Sequence, residues 1–301
     1  IVIGGTFYKI SALSRGGDAV AAMFGGEPIF ADDPDLDHQK VIHVVEEMAI
    51  ASGTSVPQVY ILHESSINAF AAGFSSSDAI IAVTRGAVTL LNREELQGVI
   101  AHEFSHILNG DMRLNIRLVG VLHGILLIGL IGGQILRGSG RSSSSKRGGG
   151  GIFLGLGLVI IGYTGTFFGK LIKAAVCRQR EFLADAAAVQ YTRNSDGIGG
   201  ALLKIGANHN GSLLTHTKSE ELSHAFFSQG VAVTFTSLFA THPPLSERII
   251  RILPGWDGAF PKAVFSEERS ALFPRSVNGY AAETVAGLTG DGVMENIGRP
   301  G

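Results

Sequence analysis

The chain has 301 residues, 24 basic and 26 acidic side chains for a formal net charge of −2, and a mean hydropathy of +0.28. This balance excludes the basic excess of a nucleic-acid binder, and a lone cysteine, Cys177, excludes a disulfide framework or a four-cysteine metal site. Only 17% of residues are charged, against about 25% in soluble domains, so part of the chain is expected to meet lipid.

Ile1-Val2-Ile3-Gly4-Gly5 is apolar and reads as the close of an upstream hydrophobic segment, without a signal-peptide pattern. Residues 6–35 read as a short helix over Ile10–Phe24 and a loop, broken by Gly25-Gly26 and Asp32-Asp33-Pro34-Asp35. Leu36–Ser52 is an amphipathic helix, with Val41, Val44, Val45, Met48 and Ala49 at helical spacing and Gly53 closing it. Val59–Leu62 and Ala79–Val83 read as strands, with Ile67–Gly73 as a third. Together they predict a small antiparallel sheet.

The next helix has the strongest signals. Asn92 caps its start with Glu95 three residues on, Leu96, Val99, Ile100, Ile107 and Leu108 form its apolar side, and Asn109-Gly110 stops it. Leu118–Leu136 and Ile152–Gly169 follow, each without Asp, Glu, Lys or Arg. Each approaches the roughly 20 residues that cross a bilayer core. The pairs Gly120/Gly124, Gly129/Gly133 and Gly165/Gly169 suit close helix packing in lipid. Residues 137–151 contain only Arg, Lys, Gly and Ser and read as a solvated tether. Lys170–Thr192 reads as a separate helix and Gly197–Gly206 as a shorter one. Residues 208–230 are polar, Val231–Ala240 is apolar, and Leu245–Leu253 reads as a last short helix.

His102-Glu103-Phe104-Ser105-His106 is an H-E-x-x-H motif on the best-defined helix. Residues i and i+4 share a face, so both imidazoles can reach one metal ion, and zinc suits neutral imidazole nitrogens. Glu103 sits beside the first ligand, where it can take a proton from an attacking water and pass it to a leaving amine. A catalytic zinc needs a third protein ligand. No Gly and third His follow His106, so a carboxylate from a later helix is expected. Glu181 is the best candidate and Asp111 the nearest competitor, although Asp111 also reads as a helix-end or membrane-flank residue. Asp185 lies one turn beyond Glu181, suited to orient a ligand histidine through its other nitrogen.

Ile100-Ala101-His102-Glu103-Phe104-Ser105-His106, Asn109-Gly110-Asp111, a membrane hairpin, and Arg180-Glu181-Phe182-Leu183-Ala184-Asp185 follow in order. The chain in this respect resembles the HtpX-like membrane zinc metallopeptidases, relatives of the integral-membrane CAAX prenyl proteases. The likeness runs from about Asp37 to Leu253. It implies an α+β, mainly α, gluzincin domain with the transmembrane hairpin inserted between the HExxH helix and the Glu-ligand helix. It implies zinc held by His102, His106 and Glu181, with Glu103 as general base, and endopeptidase activity at a membrane in protein quality control. Thr241-His242-Pro243-Pro244-Leu245-Ser246-Glu247-Arg248-Ile249 also matches; by resemblance His242 stabilises an oxyanion or occupies the open metal position at rest. Arg248 would anchor this segment to a carboxylate near the site. Asn68-Ala69-Phe70-Ala71 matches the strand along which substrate backbone binds by strand addition.

The expected organisation is an N-terminal juxtamembrane segment (1–35), a catalytic domain from 36–113 and 176–254, a transmembrane hairpin (114–175) and a C-terminal extension (255–301). The expected partners are protein or peptide substrates, misfolded membrane proteins among them, and the lipid bilayer. Membrane flanks on the catalytic side carry Arg113, Arg117, Lys170, Lys173, Arg178 and Arg180, against Arg137, Arg141, Lys146 and Arg147 in the intervening loop. This favours a cytoplasmic catalytic domain; the resemblance implies the same side, on a prokaryotic inner membrane. Two other readings stand beside the peptidase: a non-proteolytic scaffold or chaperone retaining the zinc helix, which has no need of Glu103, and a CAAX-type prenyl-protein protease, which has more membrane spans. His38, His43, His63, His123, His209, His216 and His224 are read as surface or packing residues.

Overall fold

The computed structural model describes residues 1–13, 16–139, 149–207, 227 and 239–261. His209, His216, His224, most of the apolar run 231–240 and the extension from 262 onward lie outside the described residues.

The expected Ile10–Phe24 helix is two helices, α1 (Val2–Leu13) and α2 (Gly17–Met23). Gly16 separates them at φ 88°, a value no α-helix holds. α3 (Leu36–Ser52) starts where Asp35 accepts from the Asp37 N–H at 2.8 Å and ends at Gly53, φ 72°. Its apolar face, Val41, Val44, Val45 and Met48, is buried.

The sheet has four strands among the described residues: β1 (Glu27–Ile29), β2 (Gln58–Leu62), β3 (Ala69–Ala72) and β4 (Ile80–Thr84), ordered β1-β2-β4-β3. It is mixed, not antiparallel as expected. β1 pairs with β2 and β3 with β4 antiparallel, but β2 and β4 run parallel. The cause is the crossing after β2. The chain passes to the far edge for β3, then turns through Ser75–Asp78, so β4 fills the place between β2 and β3. Asp78 tightens that turn by accepting from the Phe74 and Ser75 N–H groups. Every residue of β4 is buried, as an interior strand with apolar cover requires. β3 is thereby left as an edge strand beside the site.

α4 (Arg85–Leu90) links the sheet to α5 (Arg93–Asn109). The α5 capping box forms as expected: the Asn92 N–H donates to Glu95 Oε2 at 2.8 Å and the Glu95 N–H to Asn92 Oδ1 at 2.9 Å. Leu96, Val99, Ile100, Ala101 and Phe104 are fully buried, so α5 is a core helix on nearly every side.

α6 (Asp111–Ser139) and α7 (Gly149–Thr192) are both long and apolar enough to cross a membrane. They pack antiparallel through glycines. A Cβ at Gly162 would collide with the Gly129 backbone, and one at Gly132 would meet Gly155 and Val159. Gly133 faces away from this seam, so Gly132 takes the place expected of it. Gly120 and Gly124 seat α1 instead, against Ile10, Thr6 and Val2. Ile152, Phe153, Leu154, Ile160, Ile161 and Phe168 project outward exposed, the disposition that lipid would cover.

Lys170–Thr192 is not a separate helix. Nothing between Gly169 and Lys170 interrupts the hydrogen-bond ladder, and α7 runs for 44 residues. At 1.5 Å per residue it is about 66 Å long, twice a bilayer core of about 30 Å, so its second half carries the chain into the catalytic layer. The polar linker is correspondingly shorter than 137–151, because both ends of that range are helical. α8 (Ser195–Ala207) packs against α5, and α9 (Leu245–Ile252) packs against α8 and α7.

Candidate active site

α5 presents His102 and His106 on one face, and the second half of α7 brings Glu181 against them. The His102 and His106 Nε2 atoms are 3.1 Å apart. Glu181 Oε2 is 3.7 Å from His102 Nε2, and Oε1 is 3.6 Å from His106 Nε2. Tetrahedral bonds of about 2.0–2.1 Å put ligand atoms about 3.3–3.4 Å from one another, so these separations fit the edges of one zinc site. Among the described residues this is the group of His, Cys, Asp and Glu side chains able to hold a metal ion.

The far nitrogens of both histidines are held by carboxylates. Asp185 Oδ1 lies 3.0 Å from His102 Nδ1, and Asp111 Oδ2 lies 2.8 Å from His106 Nδ1. Each contact favours a proton on Nδ1, the tautomer in which Nε2 can give its lone pair to a metal ion. The carboxylates are held in turn. Arg248 donates from Nε to Asp185 Oδ2 at 2.8 Å and from Nη2 to Oδ1 at 2.7 Å, a bidentate pair buried on both sides. Arg180 pairs with Asp111 Oδ1 and also donates to the Asn109 carbonyl. Asp111 thus begins α6 and supports His106, and does not compete with Glu181 for the metal position.

Glu103 is fully buried. Its Oε2 accepts from the Ala71 N–H at 2.8 Å, while Oε1 has no hydrogen-bond partner among the described residues. Burial pushes its carboxyl up to about 7, against the pull of His106. Burial likewise pushes His102 down to about 4. At His106 burial also disfavours charge, but Asp111, Glu181 and Glu103 outweigh it and raise the imidazole to about 9. A cluster of carboxylates around two imidazoles, with Glu103 Oε1 and Glu181 Oε2 buried and without a hydrogen bond among the described residues, is a set of groups that favours a cation at its centre.

His242 precedes α9, and its Nδ1 is 2.9 Å from Glu181 Oε2. Arg178 on α7 donates to the Ala240 carbonyl at 2.8 Å and ties this segment down. β3 runs past Glu103, with Ala69 and Ala71 buried. Asn68 just precedes the strand, and its carbonyl accepts from the Thr84 N–H. A cavity of about 480 Å³ opens beside Ala71, Ala72, Gly73, His106 and Glu181 and descends between α2, α6 and α7 to Leu122, His123 and Leu126.

Of the residues singled out from the sequence, His102, Glu103, His106, Glu181, Asp185, His242, Arg248 and Ala71 come together around one site; Ala69 lies on the same strand edge, whereas Asn68 bonds toward β4 and the Phe70 ring packs into the core against Phe24, 5.7 Å between centroids. Sequence reasoning reads Asp111 as a competing ligand or a flank and gives Arg180, quoted in the Glu181 motif and counted among the flanking charges, no role at the site. Phe227, whose ring meets His102 edge-on with centroids 4.9 Å apart, had no periodicity to mark it.

The family model for peptidase family M48 matches residues 35–254. The protease HtpX homolog of Streptococcus uberis is 34% identical over 254 residues, 82% of each chain. That of Dictyoglomus turgidum is 37% identical over 216 residues, 72% of this chain and 69% of its own. The crystal structure of S. mikatae Ste24p aligns with a TM-score of 0.49 at 18% identity, over 82% of this chain and 55% of that one. With the match spanning both the HExxH helix and the Glu181 helix, the chain belongs to peptidase family M48 and is a metallopeptidase homologous to the HtpX proteases.

Proposed function

We propose that this chain is a membrane-bound zinc endopeptidase that cleaves misfolded or unassembled membrane proteins at the bilayer face, in quality control. The observation that carries the reading is Glu103: a buried carboxylate next to the His102–His106–Glu181 cluster, with one oxygen pinned by Ala71 and the other without a hydrogen bond among the described residues. A scaffold has no use for that arrangement.

His102, His106 and Glu181 would hold the zinc, which when bound supplies the Lewis acidity that makes water nucleophilic at neutral pH. Asp185 and Asp111 keep the two imidazoles in the tautomer that donates Nε2, and Arg248 and Arg180 keep those carboxylates in place. Glu103 takes a proton from the attacking water and delivers it to the leaving amine, from a position beside the first ligand and held by the Ala71 N–H. His242, next to Glu181, donates to the oxyanion as the carbonyl becomes tetrahedral. Substrate backbone lies along β3, whose small Ala69 and Ala71 side chains permit close approach.

The catalytic domain is assigned to 36–113 and 176–254, with 114–175 as a membrane hairpin inserted in it, and to the cytoplasmic side of a prokaryotic inner membrane. The two apolar helices, the outward apolar residues of α7 and the basic flanks near the catalytic layer support this. The test is casein cleavage by detergent-purified wild type against Glu103→Gln at equal zinc content. Zinc-dependent cleavage lost in the variant supports the reading; equal activity in both sinks it.

A further inference from the structure

The outer edge of β3 is already engaged. Asn68 faces β4, where its carbonyl accepts from the Thr84 N–H, so the alternation of a strand turns the backbone groups of Ala69 and Ala71 away from the sheet. On that outer side the Ala71 N–H donates to Glu103, and the Ala69 carbonyl accepts from the Phe227 N–H at 2.8 Å. The Phe227 carbonyl accepts from Arg248 Nη1 at 2.9 Å. Its ring packs edge-on against His102, lies 4.9 Å from the Arg248 guanidinium carbon, and is 0% exposed.

One residue thus gives its N–H to the edge strand, its C=O to a buried arginine of the site, and its side chain to a pocket walled by a histidine of the metal cluster. A peptide residue added to the outer edge of β3 would take the same strand bond at the Ala69 carbonyl that Phe227 takes here. We propose that Phe227 is an internal stand-in for a substrate residue, so that the cleft rests in a self-occupied state and a peptide must displace Phe227 to bind. The inference rests on the reading of β3 as the substrate edge. It also names the substrate chemistry: the vacated position takes a large apolar side chain, aromatic or leucine-like, because it encloses a phenyl ring completely, edge-on to His102.

An internal competitor multiplies KM by the reciprocal of the open fraction and leaves kcat alone. The experiment uses the full chain in detergent and peptides identical except for Phe, Leu, Ala or Glu next to the scissile bond. F227A is expected to lower KM, about tenfold if a tenth of the wild type is open, with kcat within about twofold and zinc content unchanged. F227L should fall between. In the wild type, Phe and Leu peptides should show the lowest KM. A raised KM or a lowered kcat in F227A at full zinc content overturns the proposal, since Phe227 would then build the cleft and not fill it. If F227A fails to retain zinc, the wild-type series decides: Phe and Leu no better than Ala or Glu overturns it as well. Cleavage by wild type that is lost in Glu103→Gln, without that preference, removes this inference and leaves the peptidase reading intact. Cleavage by neither wild type nor F227A removes both.

Discussion

Asp185 stands one helical turn beyond Glu181 on α7, and the two carboxylates meet opposite nitrogens of one histidine: Glu181 lies 3.7 Å from His102 Nε2 and Asp185 3.0 Å from its Nδ1. A single helix therefore supplies both the third metal position and the group that aims the first. Asp185→Asn is expected to weaken zinc binding by about 10–100-fold, the usual effect of losing such an outer partner. Chelator competition reads it directly, and unchanged affinity would show that Asp185 serves only Arg248.

Arg248 is almost wholly buried and bonds Asp185 through two nitrogens. Arg248→Met leaves Asp185 buried beside uncharged atoms, so a loss of about 3–5 kcal/mol is expected, as for one broken half of a buried pair. Chemical denaturation of the zinc-loaded protein in detergent checks it; a change below about 1 kcal/mol would mean that His102 alone compensates Asp185.

Glu103→Gln keeps the shape of the side chain and its acceptor toward the Ala71 N–H, but it cannot take a proton. Zinc content should hold while peptide turnover falls by about 10²-fold or more. Loss of zinc in this variant would assign Glu103 a structural role in place of a proton-transfer one.

His242→Ala removes the group 2.9 Å from Glu181 Oε2. If His242 donates to the oxyanion, kcat falls by about 10²–10³-fold. A rise in basal turnover would mean that the imidazole plugs the open metal position at rest, and unchanged turnover would remove it from the chemistry.

Gly162 touches the Gly129 backbone where α6 and α7 cross. Gly162→Val should force the helices apart at a cost of about 1–3 kcal/mol, visible as a lower thermal midpoint in detergent. An unchanged midpoint would show that the two helices do not depend on this contact.

The parts of this molecule that read plainly from sequence are those with local causes. The capping box at Asn92 and Glu95 and the stop at Gly110 delimit α5, and the His pair follows from helical spacing alone. The two apolar runs declare themselves by length. What was hidden depends on distant partners. The parallel pairing of β2 with β4 follows from where β3 comes to lie, and three-residue β1 carries too little pattern to be seen. The continuity of α7 was masked by the change from apolar to charged composition at Lys170, which alters the surroundings of a helix without interrupting it. Asp111 and Phe227 owe their places to contacts with His106 and His102 that no local pattern announces.

The central claim is that one zinc ion is held by His102, His106 and Glu181. Anomalous scattering at the zinc edge from crystals of the metal-loaded protein tests it most directly. One peak is expected per chain, within about 2.0–2.2 Å of both Nε2 atoms and a Glu181 oxygen. A peak elsewhere, or a ligand set without Glu181, would contradict the account.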